Sequence, residues 1–479
     1  MPHPSFNLNE FRPRKSKMQK ARVFFARKKK AVIIATVIII AVVGFFGFVE
    51  KNKVGIAINS LKTIGKAYEL FMTEGDAKKE LDVVNQLADA LTKNDNVERT
   101  FLILLQNNME LRPGGGFLGQ YAILKLKNGQ VTSTFVEDAN ILDQRITTDV
   151  ATPYPFKKML QLKNWKFRDS NFSPDFPTNA EKAKYFYRLA GGGNNFDGVI
   201  AVNATVLNDL LELTGPITVS GTEFNSQNAV LKLEEIVEKI YIQNPDLDTQ
   251  NRKDIMKKMA PVLIEKLATI GNVSKLADFF HKEMQKKNVM INFKDTNMQN
   301  LVSSVFWDGK VAQDWGSDFF MLVDANMGAL KTDYYMKREI SYDVDLTVEK
   351  PTVTVNILYK NTAPAGDWRT SDYHGYLRIY APKGSTFLER KMIGYPYINQ
   401  ELGKTYFGMK LDVVMGKEVN GMLKYQLPDN FDKNNYRLLI QKQSGVDDTP
   451  VKIHIKTKDG EFSKEATLVK DLRFDIKKP

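Results

Sequence analysis

The stretch that decides the fold is LILLQNNMELRPGGGFLGQYAILKLKNGQV, residues 102–131. It overlaps Thr100–Gln106 (TFLILLQ), a continuous apolar run typical of a strand that is buried on both faces. A glycine-rich turn, RPGGGF at 112–117, precedes an alternating strand at Gly119–Leu126, and Asn128-Gly129 indicates a hairpin turn. The pattern predicts a sheet with a buried strand, a glycine loop and a hairpin.

Helical and strand-like segments alternate in the residues that follow. Residues 179–190 and Ala204–Leu213 have helical spacing, and Asp197–Val202 is a short apolar strand between them. Charged segments with helical period predict a helical insertion near 228–300. The alternation predicts an extracytoplasmic α/β domain over residues 96–335, with a mixed sheet and covering helices.

The pattern changes again after Tyr335. Short β-type runs, broken by Gly, Pro, Asn and Asp, replace the helical spacing over residues 336–479. Many short strands with frequent turn residues are typical of two packed antiparallel sheets. We therefore predict a C-terminal β-sandwich.

The N-terminal region predicts a membrane anchor. Ala31–Val49 (AVIIATVIIIAVVGFFGFV) has no charged residue and is long enough to span a bilayer as a helix. The basic residues lie in 1–30, which by the positive-inside rule places this tail in the cytoplasm and the bulk outside a single-pass cell membrane protein. A cleavable signal peptide is the alternative, although the span lacks a clear A-x-A cleavage pattern. Residues 50–95 predict a helical stalk, or helices that pack onto the next domain.

Composition and charge exclude several classes of function. The net charge is +12, and residues 1–30 hold ten basic side chains against one acid, so the remaining chain carries about +3 (12 − 9) and nucleic-acid binding is not expected. The chain has no cysteine, which excludes disulfides, thiolate catalysis and Cys-type zinc sites. The four histidines show no H-x-x-x-H spacing, so a zinc hydrolase is not expected either.

Residues 102–131 resemble the hallmark of a widespread bacterial family that is named only as a domain of unknown function. The resemblance implies a single-span protein of the cell envelope. It continues in order through RDSNFSPDFPTNA (168–180), FDGVIAVNATVLNDLLELTGPITVSG (196–221), LVDANMGALKTDYYMKREI (322–340), NTAP (361–364) and YLRIYAPKGS (376–385).

A weaker resemblance is to the LytR–CpsA–Psr family, through the order RD, helix, DGVIAV, helix, GPITV. That family attaches polyprenyl-pyrophosphate-linked glycopolymers to the cell wall, with arginines on the pyrophosphate and aspartates on Mg²⁺. The resemblance implies catalytic roles for Arg168 and Asp169, with Arg112 as an additional phosphate ligand. The family's early aspartate is replaced here by Gln106-Asn107-Asn108, and amides bind Mg²⁺ less well than carboxylates do.

The residues themselves leave two interpretations of each candidate site open. Gly114, Gly115 and Gly116 beside Arg112 are either a backbone anion nest or a connector in which Arg112 is solvated or paired with Glu110. The Asn164–Asp175 segment is either a phosphate and metal site or a loop whose aspartates cap turns. Asp138, Asp143 and Asp149 with Arg145 are either a carboxylate cluster facing the glycine loop or a solvated loop.

We therefore predict a membrane-anchored extracytoplasmic cell-envelope protein that binds a cell-wall glycan or an envelope partner. The alternative is a phosphotransferase of the LytR–CpsA–Psr type, which would act on a polyprenyl-linked glycan and use Mg²⁺. The candidate residues are Arg168 and Asp169 for catalysis, Arg112, Gly114, Gly115, Gly116 and Arg145 for a phosphate or glycan, and Asp169 with Asp143 for a metal.

Overall fold

A computed structural model describes residues 76–239, 254–269 and 273–476 of the chain. The predicted cytoplasmic tail at 1–30, the predicted anchor Ala31–Val49 and the first part of the predicted stalk lie outside the described residues. Within these described ranges, no helix is long and apolar enough to cross a membrane. Membrane anchoring therefore stays a prediction from the sequence.

The N-terminal half is built on a five-stranded mixed sheet. Its strand order is β3-β2-β1-β4-β7, in which β1 and β4 are parallel and the other neighbours are antiparallel. Two further short strands, β5 and β6, form a separate ribbon. The bounds are β1 (Glu98–Asn107), β2 (Phe117–Lys127), β3 (Gln130–Asp138), β4 (Gly198–Asn203), β5 (Ile217–Val219), β6 (Thr222–Phe224) and β7 (Val289–Phe293).

Helices cover both faces of this sheet, which confirms the predicted mixed α/β class. Ile103 and Leu105 of β1 point into one apolar cluster, while Leu102 and Leu104 point into another on the opposite face. A strand buried on both faces has no polar alternation, which explains the continuous apolar run. The helices are α1 (Asp76–Thr92), α2 (Ala139–Arg145), α3 (Tyr154–Met159), α4 (Phe176–Leu189), α5 (Thr205–Thr214), α6 (Ala229–Glu234), α7 (Asp254–Thr269), α8 (Val273–Gln285) and α9 (Thr296–Ser304).

Two segments of the predicted domain layout contact the five-stranded sheet. The described part of the predicted stalk is α1, which packs through Val84 and Leu87 into the main apolar cluster of the sheet. This is the second of the two alternatives for that region. The predicted helical insertion contains a strand as well, because the apolar run of β7 pairs with β4 and closes one edge of the sheet.

The C-terminal half consists of two six-stranded sheets. Their orders are β12-β15-β10-β9-β17-β18 and β13-β14-β11-β8-β16-β19, and both sheets contribute to one large apolar cluster. Strand β8 lies within the predicted 96–335 domain but pairs with β11 and β16 of the C-terminal half. The bounds are β8 (Asp318–Asn326), β9 (Met336–Asp345), β10 (Thr352–Asn361), β11 (Tyr373–Pro382), β12 (Thr386–Lys391), β13 (Tyr397–Glu401), β14 (Lys404–Val413), β15 (Glu418–Gln426), β16 (Arg437–Ile440), β17 (Thr449–Thr457), β18 (Gly460–Leu468) and β19 (Leu472–Asp475).

The loop between β1 and β2 lies at the junction of the two halves. The Leu111 amide donates to Asp333 Oδ2 at 3.0 Å, and Asn108 Nδ2 donates to the Gly445 carbonyl at 3.2 Å. Gln443 Nε2 donates to the Arg112 carbonyl at 3.2 Å. The hallmark loop is therefore enclosed by C-terminal residues that are more than 200 positions away in sequence.

Candidate functional site

Arg112 is buried and surrounded by protein acceptors. Its Nη2 lies 2.9 Å from Glu110 Oε1, its Nε lies 3.2 Å from Asp169 Oδ1, and its Nη1 donates to the Asn326 carbonyl at 2.9 Å. Its side chain is only 2% exposed. A buried guanidinium needs such partners, because an unpaired charge in the interior is costly. The pairing with Glu110 was one of the alternatives stated for this residue.

The three glycines of the hallmark loop are buried as well. The Gly114 amide donates to the Asn171 carbonyl, and the Gly115 amide donates to the Arg112 carbonyl. A Cβ at Gly115 would lie 2.4 Å from Gln106 Nε2, and the φ of Gly115 is +133°, so only glycine fits there. This geometry assigns the loop to close packing, and its predicted role in ligand binding stays a prediction.

Arg168 and Asp169 lie in a one-turn 3₁₀ segment that brings charges from three segments together. Asp169 lies between the two arginines, with Oδ1 3.2 Å from Arg112 Nε and Oδ2 3.8 Å from Arg168 Nε. Arg168 Nε is also 3.6 Å from Asp143 Oδ2 on α2. The side chain of Arg168 is 37% exposed, so it is the member of this group that a ligand can reach. Arg112, Arg168, Asp169 and Asp143 thus form one connected cluster.

Asp143 is the carboxylate with the most perturbed environment in this cluster. Burial raises its pKa to about 6, while the charge of Arg168 and the Phe167 amide act in the opposite direction. Its Oδ1 accepts from the Phe167 amide at 2.8 Å. Desolvation disfavours the charged form of a carboxyl group, and the nearby guanidinium limits the shift.

The carboxylates of this cluster do not fit a divalent cation as they stand. Asp143 Oδ2 and Asp169 Oδ2 both face Arg168 Nε, and the remaining oxygens accept from Phe167 and Arg112. A guanidinium therefore lies where two carboxylates would converge on Mg²⁺. Within the described ranges, no group of three or more His, Asp or Glu side chains could hold a metal ion. We derive no chemical step through a metal.

Arg145, the remaining candidate, has other partners. Its Nη2 lies 2.5 Å from Glu137 Oε2 and 3.4 Å from the Tyr121 hydroxyl. The ion pair with Glu137 raises the pKa of Arg145 further above its usual range. Two acidic candidates of the same region also make local contacts, since Asp138 caps α2 and Asp149 accepts from Asn164.

A chain of amide side chains connects the ends of the parallel strands. Gln106 ends the apolar run of β1, and its Nε2 donates to Asn203 Oδ1 at the end of β4, at 2.8 Å. Asn171 Nδ2 donates to Gln106 Oε1 at 2.9 Å, and Asn203 Nδ2 donates to Ser444 Oγ at 3.0 Å. The sequence reasoning missed Asn171, Asn203 and Ser444. A polar residue at the end of an apolar strand was the available signal for Asn203.

A cleft of about 110 Å³, which is partly open to solvent, lies beside these strand ends. After β1 the chain continues to β2, toward one edge of the sheet, and after β4 it continues toward the opposite edge, where β7 lies. The parallel pair β1 and β4 is therefore a topological switch point, where open α/β sheets commonly bind ligands. Its polar wall consists of Gln106, Asn107, Gln120, Asp138, Asn140, Glu234 and Lys331. Its apolar wall consists of Leu105, Phe117, Ala204, Leu207, Val230, Leu233, Val237 and Met256.

The charged cluster and the cleft meet at Asn140. Arg168 Nη1 donates to Asn140 Oδ1 at 2.9 Å, and Asn140 is part of the cleft wall. Elsewhere in the polar lining, Asn107 Nδ2 donates to Glu234 Oε1 at 2.9 Å, and Lys331 Nζ lies 3.5 Å from Glu234 Oε2. A ligand in the cleft would therefore have planar amides and an exposed guanidinium within reach.

Comparisons with known proteins find few matches. No curated protein matches the chain. Among solved structures, the Lin1025 protein of Listeria innocua is 14% identical, with a TM-score of 0.23 over 45% of this chain and 81% of that chain. The Lmo1026 protein of Listeria monocytogenes is 13% identical, with a TM-score of 0.21 over 44% of this chain and 77% of that chain. The model of DUF4012, a family of proteins of unknown function, matches residues 96–237, which include the hallmark loop, the charged cluster and most of the cleft.

Proposed function

We propose that this protein is a membrane-anchored, extracytoplasmic protein of the cell envelope that binds a cell-wall glycan in the cleft. The observation that carries the proposal is the composition of the cleft wall at the ends of β1 and β4. Four amide side chains, two carboxylates and one lysine line the cleft together with apolar side chains. The sequence adds the predicted anchor at Ala31–Val49 and its basic flank.

The chemistry of the polar wall suits a polyhydroxylated ligand. Each amide offers both donors and an acceptor, so it can pair with sugar hydroxyls in either direction. The apolar wall suits the less polar faces of sugar rings, because binding pockets combine apolar area with a few placed polar groups. Arg168, at the edge beside Asn140, would contact a carboxylate or phosphate on the same polymer.

The binding experiment uses the full-length protein in detergent and peptide-free glycan strands released from peptidoglycan. Asn140→Ala should raise the Kd about 5-fold or more in calorimetry, because it removes a cleft amide and the acceptor of Arg168. Asn420→Ala, an exposed asparagine on β15, is the matched control and should leave the Kd unchanged. An unchanged Kd in Asn140→Ala, or no binding by the wild type, would overturn the proposal.

The membrane topology can be tested independently, because the chain has no cysteine. Ser463→Cys places one thiol at an exposed site on β18, and Ser5→Cys places one in the predicted tail. A membrane-impermeant maleimide should label Ser463→Cys in intact cells, whereas Ser5→Cys should react only after permeabilisation. The reverse pattern would rule out the proposed orientation.

A second candidate is a phosphotransferase that moves a glycopolymer from a polyprenyl pyrophosphate to the cell wall. One specific observation favours it, namely that Arg112 and Arg168 share Asp169 beside a cleft with an apolar wall. An acceptor hydroxyl would form the new bond to the sugar-linked phosphorus, and the phosphoanhydride bond would break with polyprenyl phosphate leaving. Of these two arginines, Arg168 is the exposed one and would neutralise charge on that phosphate.

Co-purification tests this candidate directly. Mass spectrometry of the detergent-extracted protein should find a polyprenyl phosphate or pyrophosphate in the wild type and a clear loss in Arg168→Ala. Arg188→Ala, an exposed arginine on α4, is the matched control. The absence of polyprenyl lipid from the wild type would exclude the transferase and leave glycan binding as the proposed function.

A further inference from the structure

A second cavity of about 400 Å³ lies between the two halves of the protein, apart from the cleft. Its volume is within the range of about 300–1,000 Å³ that small-molecule sites occupy. Asn108 and Asn208 line it from the N-terminal half, and Tyr334, Tyr335 and Asp447 line it from the C-terminal half. Both halves must therefore be in place for this cavity to exist.

The charges of the cavity wall cancel. Two acids and two bases line it, and they are paired, since Arg338 Nη2 lies 2.8 Å from Asp333 Oδ1 and Lys337 Nζ lies 3.2 Å from Asp447 Oδ2. A cavity for a free anion or cation would carry an excess of the opposite charge. The charge balance therefore favours a neutral ligand.

Two polar groups of the wall remain available to such a ligand. Asn208 Oδ1 accepts from the Val230 amide at 3.2 Å, but its Nδ2 donates to no described residue. The hydroxyl of Tyr334 likewise has no hydrogen-bond partner among the described residues, and the side chain is 39% exposed. The rings of Tyr334 and Tyr335 lie edge to face, with centroids 5.0 Å apart. Aromatic rings with a polar end and a free amide donor suit a sugar ring with its hydroxyls.

The cavity and the cleft are neighbours along the same loop. Asn107 lines the cleft and the next residue, Asn108, lines the cavity, while Val230 lines both. The two sites therefore have wall residues from this loop and from α6 in common. A linear polymer that leaves the cleft at this loop would reach the cavity within a short span.

We propose that the cavity between the two halves is a second subsite, which takes a neutral sugar unit of the same glycan chain that the cleft binds. This inference rests on the proposed function and adds a substrate preference, namely for a chain of several sugar units over a short fragment. Asn208 Nδ2 and the Tyr334 ring are the groups that contact the added unit. The ion pairs Asp333–Arg338 and Lys337–Asp447 leave no excess charge to hold a free ionic group in this subsite.

The test compares two size fractions of peptide-free glycan strands, a disaccharide and an octasaccharide, on the full-length protein in detergent. The wild type should bind the octasaccharide at least 10-fold more tightly. Asn208→Asp keeps the acceptor for the Val230 amide and removes the donor, so it should raise the Kd of the octasaccharide about 3- to 10-fold and leave that of the disaccharide unchanged. Tyr334→Ala should act in the same way.

Matched controls separate local effects from loss of fold. Asn420→Asp, on an exposed strand, controls for the new charge, and Tyr395→Ala, a tyrosine that is 72% exposed, controls for loss of an exposed ring. Equal affinity for the two fractions, or cavity variants that leave the octasaccharide Kd unchanged, would overturn this inference even if Asn140→Ala weakens both ligands. If the wild type bound neither glycan fraction, the proposed function on which this inference rests would be overturned instead.

Discussion

The carbonyl oxygen of Gly115 lies 1.9 Å from the position that a Cβ at Gly445 would occupy, so the two halves of the protein meet backbone to backbone at these glycines. The φ of Gly445 is +81°, which disfavours any other residue. The hallmark loop thus depends on a glycine that is 330 positions away in the chain (445 − 115). Four predictions follow from this junction and from the buried charges on either side of it.

Gly445→Ala should destabilise the protein by about 3 kcal/mol, because it adds a clash with backbone atoms to the strain of a positive φ. Gly221→Ala is the matched control, since Gly221 has a φ of +80° but nothing within 4 Å of its Cβ position. It should cost only about 1 kcal/mol. Urea unfolding of both variants measures the difference, and equal costs would contradict the close approach of the two loops.

Arg112→Ala should destabilise the fold far more than Arg168→Ala. Removal of the buried Arg112 leaves Glu110 and Asp169 with only longer contacts, at 3.8 Å to Lys331 and Arg168, which costs about 3–5 kcal/mol. Arg168 is 37% exposed, and its removal should cost about 1 kcal/mol or less. Chemical denaturation gives both free energies of unfolding. A large loss for Arg168→Ala would show that this residue is part of the packed core and would weaken its assignment to ligand binding.

The titration of Asp318 should lower the free energy of unfolding as the pH rises from about 4 to about 6. Burial raises its pKa to about 6, although Tyr436 and Tyr342 donate hydrogen bonds to it at 2.6 Å and 3.0 Å. The folded state then holds its proton more tightly than the unfolded state, so this contribution is fully present below pH 4 and is lost as the pH rises through 6. The shift corresponds to about 3 kcal/mol.

Asp318→Asn tests this contribution, because an amide does not titrate. The Tm at pH 7 minus the Tm at pH 4 should be larger in this variant than in the wild type, because the variant does not lose the Asp318 contribution as the pH rises. Asp343→Asn, a half-buried aspartate on β9, is the control and should follow the wild type. An identical pH profile for Asp318→Asn and the wild type would show that the tyrosines hold this carboxylate ionised throughout.

Ser444→Ala should cost about 1–3 kcal/mol, because Asn203 Nδ2 loses its nearest acceptor in a buried site. Asn203→Ala in the same background measures the coupling between the two side chains. The double variant should cost less than the sum of the single variants, by about 0.5–3 kcal/mol. Additive losses would mean that the two side chains act independently and that the amide chain stops at Asn203.

Much of the N-terminal half could be predicted from local patterns. The apolar run of β1 and the hairpin at Asn128-Gly129 are present as predicted, and both residues of that turn have positive φ. Arg112, Arg168 and Asp169 lie in one connected cluster, and the roles that the resemblance implies for them stay predictions. The pairing of β8 with C-terminal strands could not be predicted, since its apolar run fits a buried strand in either half.

The sequence by itself determined the class of each half, the presence of β1 and the hairpin turn, because burial period and turn chemistry act over a few residues. Only the tertiary structure decided the partners of the polar groups. It buried Arg112 between Glu110 and Asp169, closed the glycine loop with Gly445, and formed a cavity between the two halves. The loop closure and the cavity join residues hundreds of positions apart, and no local sequence pattern indicates which distant segment will pack against a given side chain.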